Sequence, residues 1–170
     1  LTKELWIEKE DFEVNPPPKF FRLFPGNQVR LRYGFVIECT GYETDDQGKV
    51  IKVLCDYLPD TKSGTPGSDA VKVKGNIHWV SAQFSTSVVI RNYDRLFHSD
   101  NPNDAENFLD DINPNSIQMS EAICEEHITQ ASIGDQFQFE RHGYYIVDPE
   151  SSPDHMIFNR TATLRDVWQK

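Results

Sequence analysis

Two arginines, Arg30 and Arg32, have the spacing in this chain that most directly suggests binding chemistry. They lie two positions apart in the run QVRLRYGFVIECTGYE (28–43), where apolar and polar residues alternate as in a half-buried β-strand. Side chains two positions apart on a strand share a face, so the pattern predicts both guanidinium groups on the polar face. Such a pair can bind an anion or form ion pairs with acids of a neighbouring strand, and the sequence leaves both open. The predicted apolar face consists of Val29, Leu31, Tyr33, Phe35 and Ile37.

No catalytic or metal-binding constellation is indicated elsewhere in the sequence. The five histidines lack the H-x-H or H-E-x-x-H spacing of metal sites, and no G-x-x-x-x-G-K-[ST] or G-x-G-x-x-G loop occurs. The cysteines Cys39, Cys55 and Cys124 are odd in number and far apart, which predicts neither a disulfide framework nor a zinc site. We therefore expect a reducing, cytoplasmic environment and a chain without a catalytic site of its own.

The composition is that of one globular domain or two small ones, with 170 residues of which 38% are hydrophobic. No apolar run is long enough to span a membrane and the N-terminal residues lack a signal-peptide layout, while the missing initial methionine predicts a piece of a longer protein. The net charge of -10 argues against a protein that coats nucleic acids without sequence preference. The charge is uneven, however: residues 99–135 hold nine acids and no Lys or Arg, whereas residues 15–39 hold four basic residues against one acid. The acidic stretch is ordinarily a solvated surface, with a partner-binding surface as the alternative.

Strand-like runs and turn residues predict a chain made of β-hairpins. Residues 49–58 are the expected partner of the arginine strand, with Gly48 supplying the positive φ that a hairpin turn needs. Residues 71–97 predict a second hairpin at the centre of the chain, and residues 133–148 a third that turns at Gly143.

Period-two alternation also separates two faces in the central run 71–82. One short helix is expected within DNPNDAENFLDD (100–111), capped near Asn103 or Asp104. Many short strands with one short helix predict an all-β architecture of two small, closed or nearly closed barrels. The predicted packed face of the central run is Val73, Gly75, Ile77 and Trp79, and its polar face is Lys72, Lys74, Asn76 and His78.

Five blocks of sequence, in order, resemble the C-terminal region of the glutaminyl-tRNA synthetases and their close glutamyl relatives. Together they extend over nearly the whole chain. The blocks are RLFPGNQVRLR (22–32), VKGNIHWVSA (73–82), VIRNYDRLF (89–97), FQFERHGYY (137–145) and FNRTATLRDVW (158–168).

The resemblance implies a fold of two small β-barrels of the ribosomal protein L25-like type. The first would contain residues 1–74, with residues 150–170 returning to it, and the second residues 75–149. The family belongs to the class I synthetases, whose catalytic domain precedes this region, and the HIGH-like and KMSKS-like motifs of that domain do not occur here. The chain would then bind no cofactor, and the ATP and Mg²⁺ of the full-length enzyme would be bound by the catalytic domain.

The resemblance also implies which residues read the anticodon. Arg30 and Arg32 match positions that engage the first base and its backbone, and Gln138 matches a reader of the middle uridine. Arg22 and Arg141 match a pair on the third base, a guanine. These residue types suit the task because an arginine fork matches guanine O6 and N7, and unpaired loop bases can be splayed into protein pockets.

Two positions depart from the family pattern. Lys19 and Phe21 stand where relatives carry Gln and Lys, so the middle-base pocket is expected to lose a polar contact or to gain a stacking one. Lys19 retains the ability to contact a phosphate.

The implied function is therefore tRNA anticodon binding for a glutamine-specific ligase, with glutamine tRNA and the enzyme's own catalytic domain as partners, and a monomeric state. Two alternatives are the same region of a non-bacterial-type glutamyl enzyme and a stand-alone L25-like RNA-binding barrel. The block at 158–168 favours glutamine, and the acidic charge disfavours a ribosomal protein.

Overall fold

The computed structural model describes residues 1–104 and 106–164 of the chain. The chain divides into two compact units, Leu1–Gln83 and Phe84–Lys170, and each unit has its own apolar core. The strands of the first unit are β1 (Leu5–Trp6), β2 (Gln28–Leu31), β3 (Val36–Thr44), β4 (Val50–Tyr57), β5 (Asn76–Ile77) and β6 (Val80–Ser81). Those of the second unit are β7 (Ser85–Tyr93), β8 (Ile117–Glu125), β9 (Gln136–Phe139), β10 (Gly143–Val147) and β11 (Ile157–Ala162).

The first unit contains a four-stranded sheet in the order β4-β3-β2-β5 and a separate pair of strands, β1 and β6. Its core forms because alternate residues of β2 are apolar and face inward, where Val29 and Leu31 pack with Leu23 and Ile77. All four side chains are buried. Burial of an aliphatic side chain of this size contributes about 1.5–3 kcal/mol.

The arginine run forms two strands and a turn, so the prediction of one long strand is wrong. β2 ends at Leu31, β3 begins at Val36, and the two strands pair antiparallel. The backbone N–H of Gly34 donates to the Leu31 carbonyl oxygen (2.6 Å), and Tyr33 adopts a positive φ of 61°. The alternation of residue types continues through this short turn, which is why the pattern did not reveal it. The predicted apolar face is buried at Val29, Leu31 and Ile37, whereas Phe35 is half-buried and Tyr33 is exposed.

The predicted hairpin of β3 and β4 is confirmed. The two strands pair antiparallel, and Gly48 has a φ of 79° in the turn that joins them. The Asp45 carboxylate accepts hydrogen bonds from the backbone N–H groups of Gln47 (3.0 Å) and Lys49 (2.9 Å), as is common for an aspartate that begins a tight turn.

The predicted central hairpin is wrong, although the assignment of its packed face holds. β5 pairs parallel with β2 in the first unit, whereas β7 pairs with β8 and β11 in the second. Two strand-like runs with a short connection favour a hairpin prediction even when each run pairs with a different sheet. Gly75 and Ile77 are buried and Val73 and Trp79 half-buried, while Lys72, Lys74 and Asn76 are exposed and His78 is half-buried.

The second unit contains a five-stranded sheet in the order β8-β7-β11-β10-β9. The predicted hairpin around Gly143 is confirmed as the antiparallel pair β9 and β10. Phe158 of β11 is fully buried at the centre of the core, and its ring meets the ring of Phe137 edge-on at a centroid distance of 5.9 Å.

The predicted short helix is not an α-helix. Residues 100–111 contain two 3₁₀ turns, Pro102–Asp104 and Phe108–Asp111. The second turn is capped by Asn107, whose side chain accepts a hydrogen bond from the backbone N–H of Leu109 (3.2 Å), rather than by Asn103 or Asp104. Two further 3₁₀ turns cover Lys9–Asp11 and Glu126–Gln130, and no α-helix occurs among residues 1–104 and 106–164.

The chain is thus mostly β-structure, arranged in three sheets, and the pairing of the described strands does not close a barrel. The units divide after Gln83 rather than after residue 74, because Ile77 of β5 and Trp79 pack with the first core and β6 pairs with β1. Residues 150–170 were expected to return to the first unit. Strand β11, within this range, instead lies between β7 and β10 of the second unit. The sequence also predicts a helical turn at the end of the strand-like run MIFNRTATLRDVW (156–168), and this turn lies outside the described residues.

Candidate nucleic-acid interface

Arg30 holds a loop of the first unit in place. Its side chain is half-buried, and its guanidinium donates to the carbonyl oxygens of Thr61, Ser68 (2.7 Å) and Gly34 (3.3 Å) and to the Ser63 hydroxyl (3.5 Å). These acceptors are neutral, so the alternative that Arg30 pairs with acids of a neighbouring strand is not what the geometry shows. A guanidinium fork suits this position because it can donate in several fixed directions at once.

Arg32 occupies the exposed turn between β2 and β3, beside Tyr33. Its guanidinium carbon lies 5.2 Å from the centroid of the Tyr33 ring, and one of its nitrogens donates to the tyrosine hydroxyl (3.2 Å). The two arginines that the sequence placed on one strand face therefore have different surroundings. Arg30 is bound to a loop, and Arg32 is presented at the surface next to an aromatic ring.

Arg22 bridges the beginning of the first unit to the segment before β2. Its Nη1 lies 3.0 Å from the carboxylate of Asp11, which is completely buried, and donates to the carbonyl oxygen of Glu10 (3.2 Å). The side chain retains 40% exposure. A guanidinium fixed on one side and exposed on the other is oriented for a further anionic or polar ligand.

Lys19 and Phe21 lie at the surface of the same segment. Lys19 is exposed with a positive φ of 67°, and the ammonium of Lys74 lies 5.5 Å from the centroid of the half-exposed Phe21 ring. The segment packs closely on the residue before β5: a methyl group on Gly75 would lie 1.8 Å from the carbonyl oxygen of Phe21. Only a glycine fits at that position without movement of the backbone.

Gln138 and Arg141 lie on the hairpin of β9 and β10 in the second unit. Gln138 is exposed on the edge strand β9, directly opposite Tyr144, whose side chain is 46% exposed. Arg141 is half-buried in the turn with a positive φ of 69°, a conformation that non-glycine residues seldom adopt. The hairpin thus presents a neutral amide and a guanidinium near one end of the sheet.

A charged network supports the second sheet away from these residues. The Asp148 carboxylate is nearly buried and receives hydrogen bonds from the guanidinium of Arg91 (3.2 Å) and the amide of Asn159 (2.5 Å). The backbone N–H of Glu150 (2.8 Å), together with these two donors, holds the pKa of Asp148 below its usual value although burial opposes the shift. The role we derive for this network is structural, because its carboxylate is saturated by donors of the protein.

The structure therefore brings together Lys19 and Arg22 in one segment, Arg30 and Arg32 in one strand and turn, and Gln138 and Arg141 on one hairpin. Sequence reasoning did not find Tyr33 as a surface residue or Lys74 as the partner of Phe21. A Tyr-Gly dipeptide at 33–34 is a weak turn signal, and nothing in the sequence links positions 21 and 74. Among residues 1–104 and 106–164, no group of His, Cys, Asp and Glu side chains could hold a metal ion, and no helix is long and apolar enough to cross a membrane.

Two family models match the chain. Both are described as anticodon-binding domains of the class I tRNA synthetases for glutamate and glutamine, and they cover residues 1–58 and 76–148. The chain is also 56% identical over its whole length to the glutamine–tRNA ligase of Cupriavidus metallidurans, 54% identical to that of Ralstonia pickettii and 54% identical over 99% of its length to that of Bordetella pertussis. It spans about 30% of the length of these relatives.

The chain belongs to the anticodon-binding domains of the class I tRNA synthetases that are specific for glutamate and glutamine. Within that family it is homologous to the C-terminal part of glutamine–tRNA ligase. The predicted family is thereby confirmed.

Proposed function

We propose that this chain reads the glutamine anticodon for a full-length ligase that attaches glutamine to its tRNA with ATP. The observation that carries the proposal is the coincidence of two anticodon-binding family matches with arginines whose side chains are exposed or half-buried at the surface of the two units. In the first unit these are Arg22 and Arg32, and in the second Arg141. Their guanidinium groups can contact guanine edges and phosphates.

Lys19, Arg22 and Arg32 are proposed as the contacts of the first unit with RNA. Support comes from their exposed or half-exposed side chains and from the fixed orientation that Asp11 gives to Arg22. Arg30, which the family resemblance also assigns to the first base, is proposed to act there chiefly by holding its loop and turn.

Gln138 and Arg141 are proposed as the contacts of the second unit. An exposed glutamine amide can both donate to and accept from a uridine edge, and the neighbouring Tyr144 offers an aromatic surface beside it. Glutamine suits this task, because its amide makes paired hydrogen bonds without bringing a charge.

For the whole protein we propose a cytoplasmic, monomeric glutamine–tRNA ligase whose ATP and Mg²⁺ are bound by a catalytic domain outside this chain. The two units are proposed to correspond to the two L25-like barrels of the family. Support comes from the two separate family matches and from the two separate cores.

The proposal is tested by titrating the 170-residue chain with the anticodon stem-loop of glutamine tRNA and with stem-loops altered at each anticodon base. We expect binding that weakens by about 1–3 kcal/mol for an altered base. Arg22→Ala, Arg32→Ala, Gln138→Ala and Arg141→Ala should each lower affinity. The matched controls, Lys49→Ala in the first unit and Arg95→Ala in the second, should not.

Two results would contradict the proposal. One is equal affinity for the glutamine stem-loop and for a stem-loop with an unrelated anticodon. The other is attachment of glutamine to tRNA by the chain itself, which would place a catalytic site where none is proposed.

A further inference from the structure

Tyr33 is the most exposed large apolar or aromatic side chain among residues 1–104 and 106–164, with 72% of its surface accessible. It stands at the tip of the turn between β2 and β3, in the left-handed conformation that residues with a Cβ seldom adopt. A tyrosine gains nothing for the core at this position, since its ring lies in solvent, and its backbone conformation would suit glycine or asparagine better.

The turn that presents the ring is held from several sides. The backbone N–H of Arg32 donates to the Ile77 carbonyl oxygen (2.9 Å), and its own carbonyl accepts from the indole N–H of Trp79 (3.2 Å). The Gly34 carbonyl accepts from the backbone N–H of Ser63 (3.0 Å) as well as from Arg30. The backbone of the turn, and with it the direction of the Tyr33 Cα–Cβ bond, is therefore set by the fold and does not depend on a ligand.

A cation accompanies the exposed ring. The guanidinium of Arg32 lies 5.2 Å from the ring centroid and donates to the tyrosine hydroxyl (3.2 Å). An aromatic ring beside a guanidinium is the combination that binds unpaired nucleotides, because the ring stacks on a base of any sequence while the cation contacts the same base or a phosphate.

We propose that Tyr33 is a base-stacking residue, which takes one unpaired base of the anticodon loop on its ring while Arg32 contacts that nucleotide. This inference rests on the proposed function and adds to it a contact that the family resemblance does not assign. The stacking is sequence-tolerant, so Tyr33 contributes affinity and placement, whereas the discrimination between bases comes from the arginine and glutamine contacts.

The test uses the 170-residue chain, the glutamine anticodon stem-loop and the variants Tyr33→Asn and Tyr33→Phe. Asparagine tolerates the left-handed conformation and removes the ring, so Tyr33→Asn should fold with an unchanged or higher melting temperature. Tyr57→Asn, at another exposed tyrosine of the first unit, is the matched control. A set of stem-loops with 2-aminopurine at one unpaired position each reports stacking by quenching of its fluorescence.

We expect Tyr33→Asn to weaken binding by about 5- to 150-fold, whereas Tyr33→Phe and Tyr57→Asn stay within about 2-fold of the wild type. Quenching at one loop position should persist in Tyr33→Phe and disappear in Tyr33→Asn. Equal affinity of the wild type and Tyr33→Asn would overturn the stacking role and leave the proposed function intact. Failure of the wild-type chain to distinguish the glutamine stem-loop from an unrelated one would instead overturn the proposed function itself.

Discussion

Arg30 and Arg32 differ in role because Arg30 lies within β2 and Arg32 lies in the turn that follows this strand. The guanidinium of Arg30 lies among loop carbonyls, where its desolvated donors are matched by neutral acceptors, and that of Arg32 lies at the surface beside Tyr33. Both residues are arginines of the same strand-like run, so neither the residue type nor the sequence pattern explains the difference. The difference comes from the loop at 61–68, whose carbonyl oxygens accept hydrogen bonds from the guanidinium of Arg30.

The first prediction separates the two arginines by stability. Arg30→Ala should lower the free energy of unfolding by about 1.5–3 kcal/mol, because loop carbonyls lose a charged donor. Arg30→Lys should recover little of this, since an ammonium cannot donate to the same carbonyls in the same directions. Arg32→Ala should cost under about 1 kcal/mol. Urea denaturation of the three variants measures these differences, and a larger loss for Arg32→Ala than for Arg30→Ala would contradict the assignment.

The second prediction concerns the thiols. Burial raises the pKa of Cys124 to about 11, with a further contribution from the charge of Glu125. At pH 8 the thiolate is therefore scarce, and Cys124 should react with iodoacetamide about 100-fold more slowly in the native chain than in urea. Because its pKa is raised, the folded chain holds the Cys124 proton more tightly than the unfolded chain does. This contribution to stability is therefore fully present at a pH below the ordinary thiol pKa and should be lost as pH rises from about 9 towards 11.

The reaction is followed for each cysteine by peptide mass spectrometry. Equal rates for Cys124 in native and unfolded chain would show that the sulfur is not desolvated.

At the scale of elements, the run at 71–82 shows that the local sequence determines which face of a strand is buried but not which strand it pairs with. Ile77 is buried and Trp79 packs against the first core because the apolar face meets β2 and its neighbours. The parallel pairing with β2 depends on contacts distant in sequence.

The third prediction tests that face. Trp79→Ala should cost about 3 kcal/mol, at the lower end for a large aromatic truncation because the indole is half-buried. His78→Ala, on the other face, should cost under about 1 kcal/mol. Midpoints of denaturation in the reverse order would refute the assignment of faces.

Local patterns were sufficient for some elements and insufficient for others. The turn at Gly48 and the hairpin at Gly143 were predicted because each combines a turn glycine with alternating strands on both sides. The turn at Tyr33 was not predicted, since a tyrosine with positive φ is stabilised by Trp79 and by the loop at 61–68, which the local sequence does not reveal. The same holds for the site: the arginines were found from spacing and resemblance, whereas the ion pair of Arg22 with buried Asp11 was not.

At the scale of the whole molecule, charge limits how RNA can bind. The chain has 27 acidic and 17 basic residues, so its net charge repels a ligand with many phosphates, and attraction is limited to places where basic side chains outnumber acidic ones. Binding that depends on a few oriented contacts is selective, because nonspecific attraction to the backbone remains weak.

The fourth prediction follows from this charge distribution. The affinity of the chain for glutamine tRNA should depend weakly on salt, with a log-log slope no steeper than about -6. Titrations between about 50 and 200 mM salt measure the slope. A steeper slope would mean that many more phosphates are neutralised than the proposed contacts allow, and Arg32→Ala should make the slope shallower by about one unit.

Gly75 has a consequence for genetics. Its missing side chain lets the Phe21 backbone lie against the residue before β5, and any larger residue would displace the segment that contains Lys19 and Arg22. In a screen of the proposed full-length ligase for loss of tRNA charging, substitutions of Gly75 should therefore have the same phenotype as substitutions of the proposed RNA contacts, although a glycine offers the RNA no side chain. Second-site suppressors of such alleles should map to residues 19–22, where a shifted backbone can be accommodated.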